Sequence, residues 1–255
     1  MRASRAAKSK PPTFQEGRLG YAVGDIHGRA DLLENLFTQM EQDSAHSNET
    51  PLVVFAGDYI DRGPDSRKVI DLLLSGRPYG FERRFLMGNH ERMLLDCYDE
   101  PAKARRWLNH GGFNTMRSYG VRPPSMGAAA EVLVEALGLL RDRMSAEHQA
   151  FLRRLERYVE AGDYLFVHAG VDPSKPLAQQ TDADLFWIRK GFLDCGRQLS
   201  HRVVHGHTPV RAAGLEGSRL AIDTGAYATG VLTAARLEGA GVSFLTARDA
   251  VFSRA

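Results

Sequence analysis

The stretches with most capacity for chemistry are short, and each follows an apolar run: GDIHG from Gly24, GDYIDRG from Gly57, GNHE from Gly88, HAG from His168 and HGHTP from His205. Their Asp, His and Asn side chains are oxygen and nitrogen donors of the kind that hold Mn, Fe or Zn. Asp25 and His27 lie two apart on one turn and can chelate one ion. A bridging Asp58 can hold a second ion about 3.5–4 Å away, and Asn89, His168 and His207 complete that second site. Neither Cys97 nor Cys195 lies among them, which argues against a thiolate-rich structural zinc site.

A Gly-Asp pair after a strand is also an ordinary turn, and His168 alone reads as a core histidine. GDYIDRG is harder to reduce to a turn. Two carboxylates and a guanidinium beside a buried strand end are costly unless they pair with one another or with ligands. The repetition of one pattern at five successive strand ends weighs against five independent turns.

The elements that must position these residues follow from periodicity. RLGYAV before Gly24, Leu52 to Ala56 and Phe81 to Met87 read as strands, each closed by a glycine. Between them, Leu32, Leu33, Leu36, Phe37 and Met40 form one helical stripe, and a second helix follows Pro64 and Ser66. Strands alternating with helices imply parallel pairing, and ligands in such sheets bind beyond the carboxyl ends of the strands. From Glu91 to Gly162 the runs are helix-forming, with Phe151, Leu152, Leu155, Tyr158 and Val159 as a stripe behind a Ser145 N-cap. This segment, about Arg92 to Gly162, is expected to be a helical insertion over the core. Strand signals return at DYLFV, RVVHG, RLAIDTG, GVLTAARLE and GVSFLTA, so the closing part is β-rich.

Bulk composition narrows the partners. The chain has 255 residues, 25% of them charged, and a formal net charge of +2. Wholesale binding to nucleic acid or to an anionic membrane is therefore not expected. The one basic concentration, with Arg2, Arg5, Lys8 and Lys10 in residues 1–17, lacks the apolar stretch of a signal peptide and reads as a disordered arm. Two cysteines fit a reducing compartment. The most apolar run, Val132 to Leu140, is too short to span a bilayer and contains Glu135. A soluble, cytoplasmic protein is expected, with residues 18–255 as one domain.

GDIHGR, GDYIDRGPDS, GNHE, HAG and GHTP, in this order, resemble the calcineurin-like metallophosphoesterases, and within them the phosphoprotein phosphatase branch with its bacterial serine/threonine phosphatases. The resemblance runs from about Arg18 to Glu238. It implies an α/β fold, a four-layer α/β/β/α sandwich with a helical insertion, and two divalent ions at the strand ends, manganese first, with iron or zinc as alternatives. By the same resemblance the first metal takes Asp25 and His27, Asp58 bridges, and the second takes Asn89, His168 and His207. A hydroxide activated by both ions attacks the phosphoryl group. Arg62, Asn89 and Arg189 bind phosphate, His90 protonates the leaving alkoxide, and Asp61 orients His90.

The implied activity is hydrolysis of phosphomonoesters, on a phosphorylated protein or a small phosphoester. The rival reading is a symmetrical diadenosine tetraphosphatase or another nucleotide phosphohydrolase. That group usually lacks the acid before the arginine and ends the third motif in Asp, so Asp61 and Glu91 favour the phosphatase. His205 departs from the pattern and is expected to point into the core. Tyr227, after the DTGA turn, is a candidate pocket residue.

Overall fold

The computed structural model describes residues 10–196 and 199–249. Two five-stranded sheets face each other. The first contains β1 (Leu19–Val23), β2 (Leu52–Phe55), β3 (Glu82–Phe85), β9 (Val231–Glu238) and β10 (Gly241–Arg248). Its order is β10-β9-β1-β2-β3, with β1, β2 and β3 parallel. The second holds β4 (Tyr158–Ala161), β5 (Tyr164–Val167), β6 (Arg202–His205), β7 (Gly214–Glu216) and β8 (Arg219–Ala221). Its order is β4-β5-β6-β8-β7, with β5, β6 and β8 parallel.

Strand alternation builds the layers. On β2, Leu52 and Val54 face one core, while Val53 and Phe55 face another. On β5, Tyr164 and Phe166 share the core of Leu52 and Val54, and Leu165 and Val167 turn away. The shared core lies between the sheets and includes Leu86, Val204, Leu220 and Ile222. The outer face of the first sheet is covered by α1 (Ala30–Asp43) and α2 (Ser66–Leu74). The second sheet is covered by α8 (Asp182–Trp187) and by Phe192. Fully burying one Phe or Leu side chain contributes about 1.5–3 kcal/mol, so both layers are strongly held to the sheets. The result is the α/β/β/α sandwich expected from sequence.

The helical insertion runs through α3 (Asn89–Asp99), α4 (Ala104–Trp107), a segment kinked at Gly111 (Leu108–Gly112), α5 (Phe113–Ser118), α6 (Ala130–Arg143) and α7 (Ala146–Arg153). Ser145 caps α7 by accepting the His148 N–H. Two expected boundaries move. The apolar stripe read through Val159 is not one helix: α7 stops at Arg153, and Tyr158 and Val159 belong to β4. The packed chain also begins upstream of Arg18, because Phe14 is buried between the sheets and Thr13 donates to the Asp163 carboxylate at 2.8 Å. Arg2, Arg5 and Lys8 of the basic arm lie outside the described residues. Among the described residues, no helix is long and apolar enough to cross a membrane.

Candidate metal centre

Parallel strands point their carboxyl ends the same way, and six of those ends meet at one edge of the sandwich. Asp25 and His27 follow β1, Asp58 follows β2, and Asn89 and His90 follow β3; His168, His207 and Asp223 follow β5, β6 and β8. All eight side chains are buried. The turns that carry them are tight. His27, Asp58, Asp61, Arg62 and His207 all have positive φ, from 45° to 70°. Non-glycine residues adopt that region at an energetic cost, and such residues concentrate at functional sites. Gly88 is required by close approach, because a Cβ there would lie 2.2 Å from Asp58 Oδ1.

Asp58 belongs to two clusters of donor atoms, each within 4.8 Å: one with His27 and His90, the other with His168 and His207. Its Oδ2 is 3.5 Å from His27 Nε2 and its Oδ1 is 3.5 Å from His168 Nε2. Asn89 Oδ1 sits 3.0 Å from His168 Nε2 and 2.8 Å from His207 Nδ1. Asp25 joins them by accepting the His207 N–H at 3.0 Å. The residues expected at both metals are therefore together, with His90 inside one cluster as well.

The tautomers of His27 and His168 fit a cation. His27 Nδ1 lies 2.8 Å from Ile60 O, and His168 Nδ1 lies 2.8 Å from Ala56 O. A carbonyl only accepts, so both Nδ1 atoms carry the proton and both Nε2 lone pairs face the site. Fixing a ligand imidazole through its other nitrogen is the usual outer-shell arrangement of metal sites. It leaves the His168 lone pair and Asn89 Oδ1, two acceptors, 3.0 Å apart. Two ligands of one ion at about 2.1 Å span an octahedral edge of about 3 Å, so a divalent cation turns this repulsion into coordination.

Electrostatics agree. Burial, then the charges of Asp223 and Asp58, holds the Asp25 carboxyl well above its ordinary range. Burial pushes Asp223 up to about 6. Burial also opposes charge on Asp58, but His168, His90, His27 and His207 outweigh it and lower its pKa. His27, His168 and His207 are all shifted downward, first by burial, His207 to about 3. Crowded acids with neutral imidazoles suit a strongly cationic occupant.

His90 stands apart in its hydrogen bonding. Its Nδ1 lies 2.7 Å from Asp61 Oδ2, so Nδ1–H donates to the carboxylate. Its buried Nε2 has no hydrogen-bond partner among the described residues. Burial disfavours the imidazolium, yet Asp58 and Asp61 more than offset this and raise its pKa.

Arg62 holds its guanidinium over the Tyr227 ring, with Cζ 4.7 Å from the centroid. Arg189 lies in the link after α8 and is exposed, and its Nε donates to His207 Nε2 at 3.2 Å. His205 ends β6 and is buried against the Phe192 ring, 5.0 Å between centroids.

Asp223 and the Glu91 carboxylate belong to the site without a role expected from their place in the sequence. Asp223 carries the same signal as its neighbours, an acid closing the strand RLAI. Glu91 accepts the backbone N–H groups of Asp58, Tyr59, Ile60 and Gly88 at 2.8–3.1 Å. Its signal was the third position of a helix opening at Asn89, where Glu reaches back to the cap. Burial and the Asp58 charge push it up to about 8, against the pull of those N–H donors.

A buried, two-cluster donor site at the strand ends of a double-sheet sandwich defines a metallophosphoesterase. The sequence model of the calcineurin-like phosphoesterase family matches residues 21–231, and the chain belongs to that family. Serine/threonine-protein phosphatase 1 of Salmonella typhimurium is 29% identical over 223 residues, 86% of this chain and 91% of that protein. A symmetrical bis(5'-nucleosyl)-tetraphosphatase of Acidovorax is 31% identical over 155 residues, 60% of this chain and 44% of that one. A solved metallophosphoesterase from Sphaerobacter thermophilus matches with a TM-score of 0.51 at 13% identity, covering 94% of this chain and 90% of that one.

Proposed function

We propose that this phosphoesterase is a serine/threonine protein phosphatase of the cytoplasm that hydrolyses phosphomonoesters with two divalent ions, manganese as the expected pair. Asp25, His27 and Asp58 would hold the first ion, and Asp58, Asn89, His168 and His207 the second. Ions bound there supply a water of lowered pKa and neutralise charge on the phosphoryl oxygens. The remaining work falls to the protein. Arg62 and Arg189 donate N–H groups to the phosphate, and the planar guanidinium suits a bidentate grip. Asn89, next to His90, contributes to the same phosphate pocket. His90 gives its Nε2 proton to the departing serine or threonine oxygen, and Asp61 fixes the ring for that transfer.

The observation that carries this reading is the buried Asp61–His90 pair, with Nε2 unpartnered beside the donor clusters. An alkoxide is a poor leaving group and needs such a proton. A second reading, hydrolysis of dinucleoside tetraphosphates, has support in the Acidovorax relative. The two separate in one assay with Mn²⁺ on a phosphoserine peptide, p-nitrophenyl phosphate and diadenosine tetraphosphate. The phosphopeptide should have the highest kcat/KM among physiological esters. A dominant rate on the dinucleotide would overturn the protein-phosphatase reading.

A further inference from the structure

We propose that the helical insertion is a positioning device for proton transfer, in which Trp107 and Thr115 clamp the Asp61 carboxylate and thereby aim His90. The proposal rests on the reading of His90 as the proton donor. Asp61 is wholly buried, and three side chains satisfy its oxygens. Oδ2 accepts Trp107 Nε1–H at 2.8 Å as well as His90 Nδ1–H at 2.7 Å, and Oδ1 accepts Thr115 Oγ1–H at 2.6 Å. The Asp61 N–H in turn donates to Thr115 Oγ1 at 2.9 Å and to Ser66 Oγ at 3.0 Å. Two of the three carboxylate donors, Trp107 and Thr115, thus come from α4 and α5, beyond the helix that carries His90. With all three in place the carboxylate cannot rotate, and the imidazole bonded to it cannot either.

A bland account is that Trp107, fully buried, merely finds the nearest acceptor for its N–H. The backbone between the two donors argues for more. The helical run after Trp107 breaks into a kink at Gly111, which has φ 106°. A sharp kink in a helical run has a local cause, here the glycine pair Gly111-Gly112. This one lies on the Asp61–Arg62 turn: Gly111 O accepts the Arg62 N–H at 3.3 Å, and Asn114 Nδ2 donates to Arg62 O. A Cβ on Gly111 would come 2.6 Å from Arg62 N, and one on Gly112 would meet the Trp107 ring at 2.5 Å. The two glycines let Trp107, Asn114 and Thr115 reach one turn together. Asp61 and Arg62 both have left-handed φ, 70° and 66°, and the insertion holds that conformation from outside.

The test uses the Mn²⁺-loaded full chain with Trp107→Phe, which keeps an aromatic ring, and Thr115→Val, which keeps the shape. Each is made alone and with His90→Asn. On a phosphoserine peptide each single variant should lose roughly 10- to 100-fold in kcat, the range that misplacing a reacting group costs, with KM and metal content unchanged. The loss should be smaller on p-nitrophenyl phosphate, whose leaving group needs no proton, and absent when His90 is already Asn.

Independent of turnover, the proton NMR spectrum of the chain loaded with diamagnetic Zn²⁺ in place of Mn²⁺ should contain a far-downfield Nδ1–H resonance that His90→Asn removes and that both variants shift or broaden. Wild-type kcat and an unmoved resonance in both variants, alongside a slow His90→Asn, would overturn the clamp and leave the acid assignment standing. If His90→Asn turns over at the wild-type rate, the acid assignment fails. The resonance then decides the clamp alone: unmoved overturns it, shifted supports it. Should Trp107→Phe fail to fold, Thr115→Val decides on the same criteria.

Discussion

Glu91 holds the backbone that carries Asp58: its Oε2 accepts the Asp58 N–H at 2.9 Å. Oε1 takes the next two N–H groups, from Tyr59 and Ile60. One side chain at the start of α3 therefore fixes the turn after β2, where Asp58 sits at φ 51°. Glu91→Gln replaces one acceptor oxygen with an N–H₂ that faces donors. Leaving buried backbone N–H groups without an acceptor should cost on the order of 1–3 kcal/mol, read as a lower urea midpoint of the metal-free protein. An unchanged midpoint would mean the turn is held by other contacts.

Asp58 is the residue shared by both donor clusters. Asp58→Asn keeps the shape and removes the charge, so metal content by elemental analysis should fall below two ions per chain. Turnover should fall at least about a hundredfold, the upper end of what disturbing a metal site's outer shell costs. Full occupancy with full activity would refute the bridging assignment. His90→Asn should behave oppositely, slowing turnover by on the order of 10² or more while metal content stays at the wild-type value. Lost metal there would make His90 a ligand, a role its place in the His27–Asp58 cluster allows.

Tyr227 supports Arg62 through its ring face, 4.7 Å from the guanidinium carbon. An exposed cation–π contact contributes about 0.5–1 kcal/mol, equivalent to roughly a two- to fivefold effect. Tyr227→Ala should raise KM for phosphomonoesters by that factor and leave kcat nearly unchanged, and Tyr227→Phe should restore the wild-type KM. An equal rise in both variants would assign the effect to the hydroxyl.

The donor set was legible because each member lies within a few residues of a parallel strand end, so strand signals and donor types sit side by side in the chain. Asp223 obeys the same rule after β8, but its acid falls in a turn that turn chemistry already accounts for. The contacts of Trp107, Gly111 and Thr115 with Asp61 and Arg62 were not legible: they join segments some 50 residues apart, and no local period reports them. Tyr158 and Val159 misled for a different reason. Phe151, Leu152 and Leu155 set a helical spacing that both residues happen to continue, although the chain turns into β4. Phe14 was hidden by its setting, one aromatic next to a basic arm, and only the sheet interface reveals its partners.

His205 yields a stability prediction whose sign follows from burial. Burial, with Arg219 and His168 nearby, outweighs the contact with Gly206 O and lowers its pKa to about 4 from the ordinary 6.5. The folded protein thus disfavours the charged ring. Its contribution is fully present above pH 6.5 and is lost as pH falls toward about 4. At pH 5 the loss is about 2 kcal/mol at 1.36 kcal/mol per pKa unit. Urea unfolding in chelator at pH 8 and pH 5 should show wild type losing about that much more stability than His205→Leu. Contributions from the other histidines are common to both proteins and cancel in the difference. Equal losses would mean that His205 accepts a proton inside the fold, and the ring packed against Phe192 would then have to reach solvent or an acid when charged.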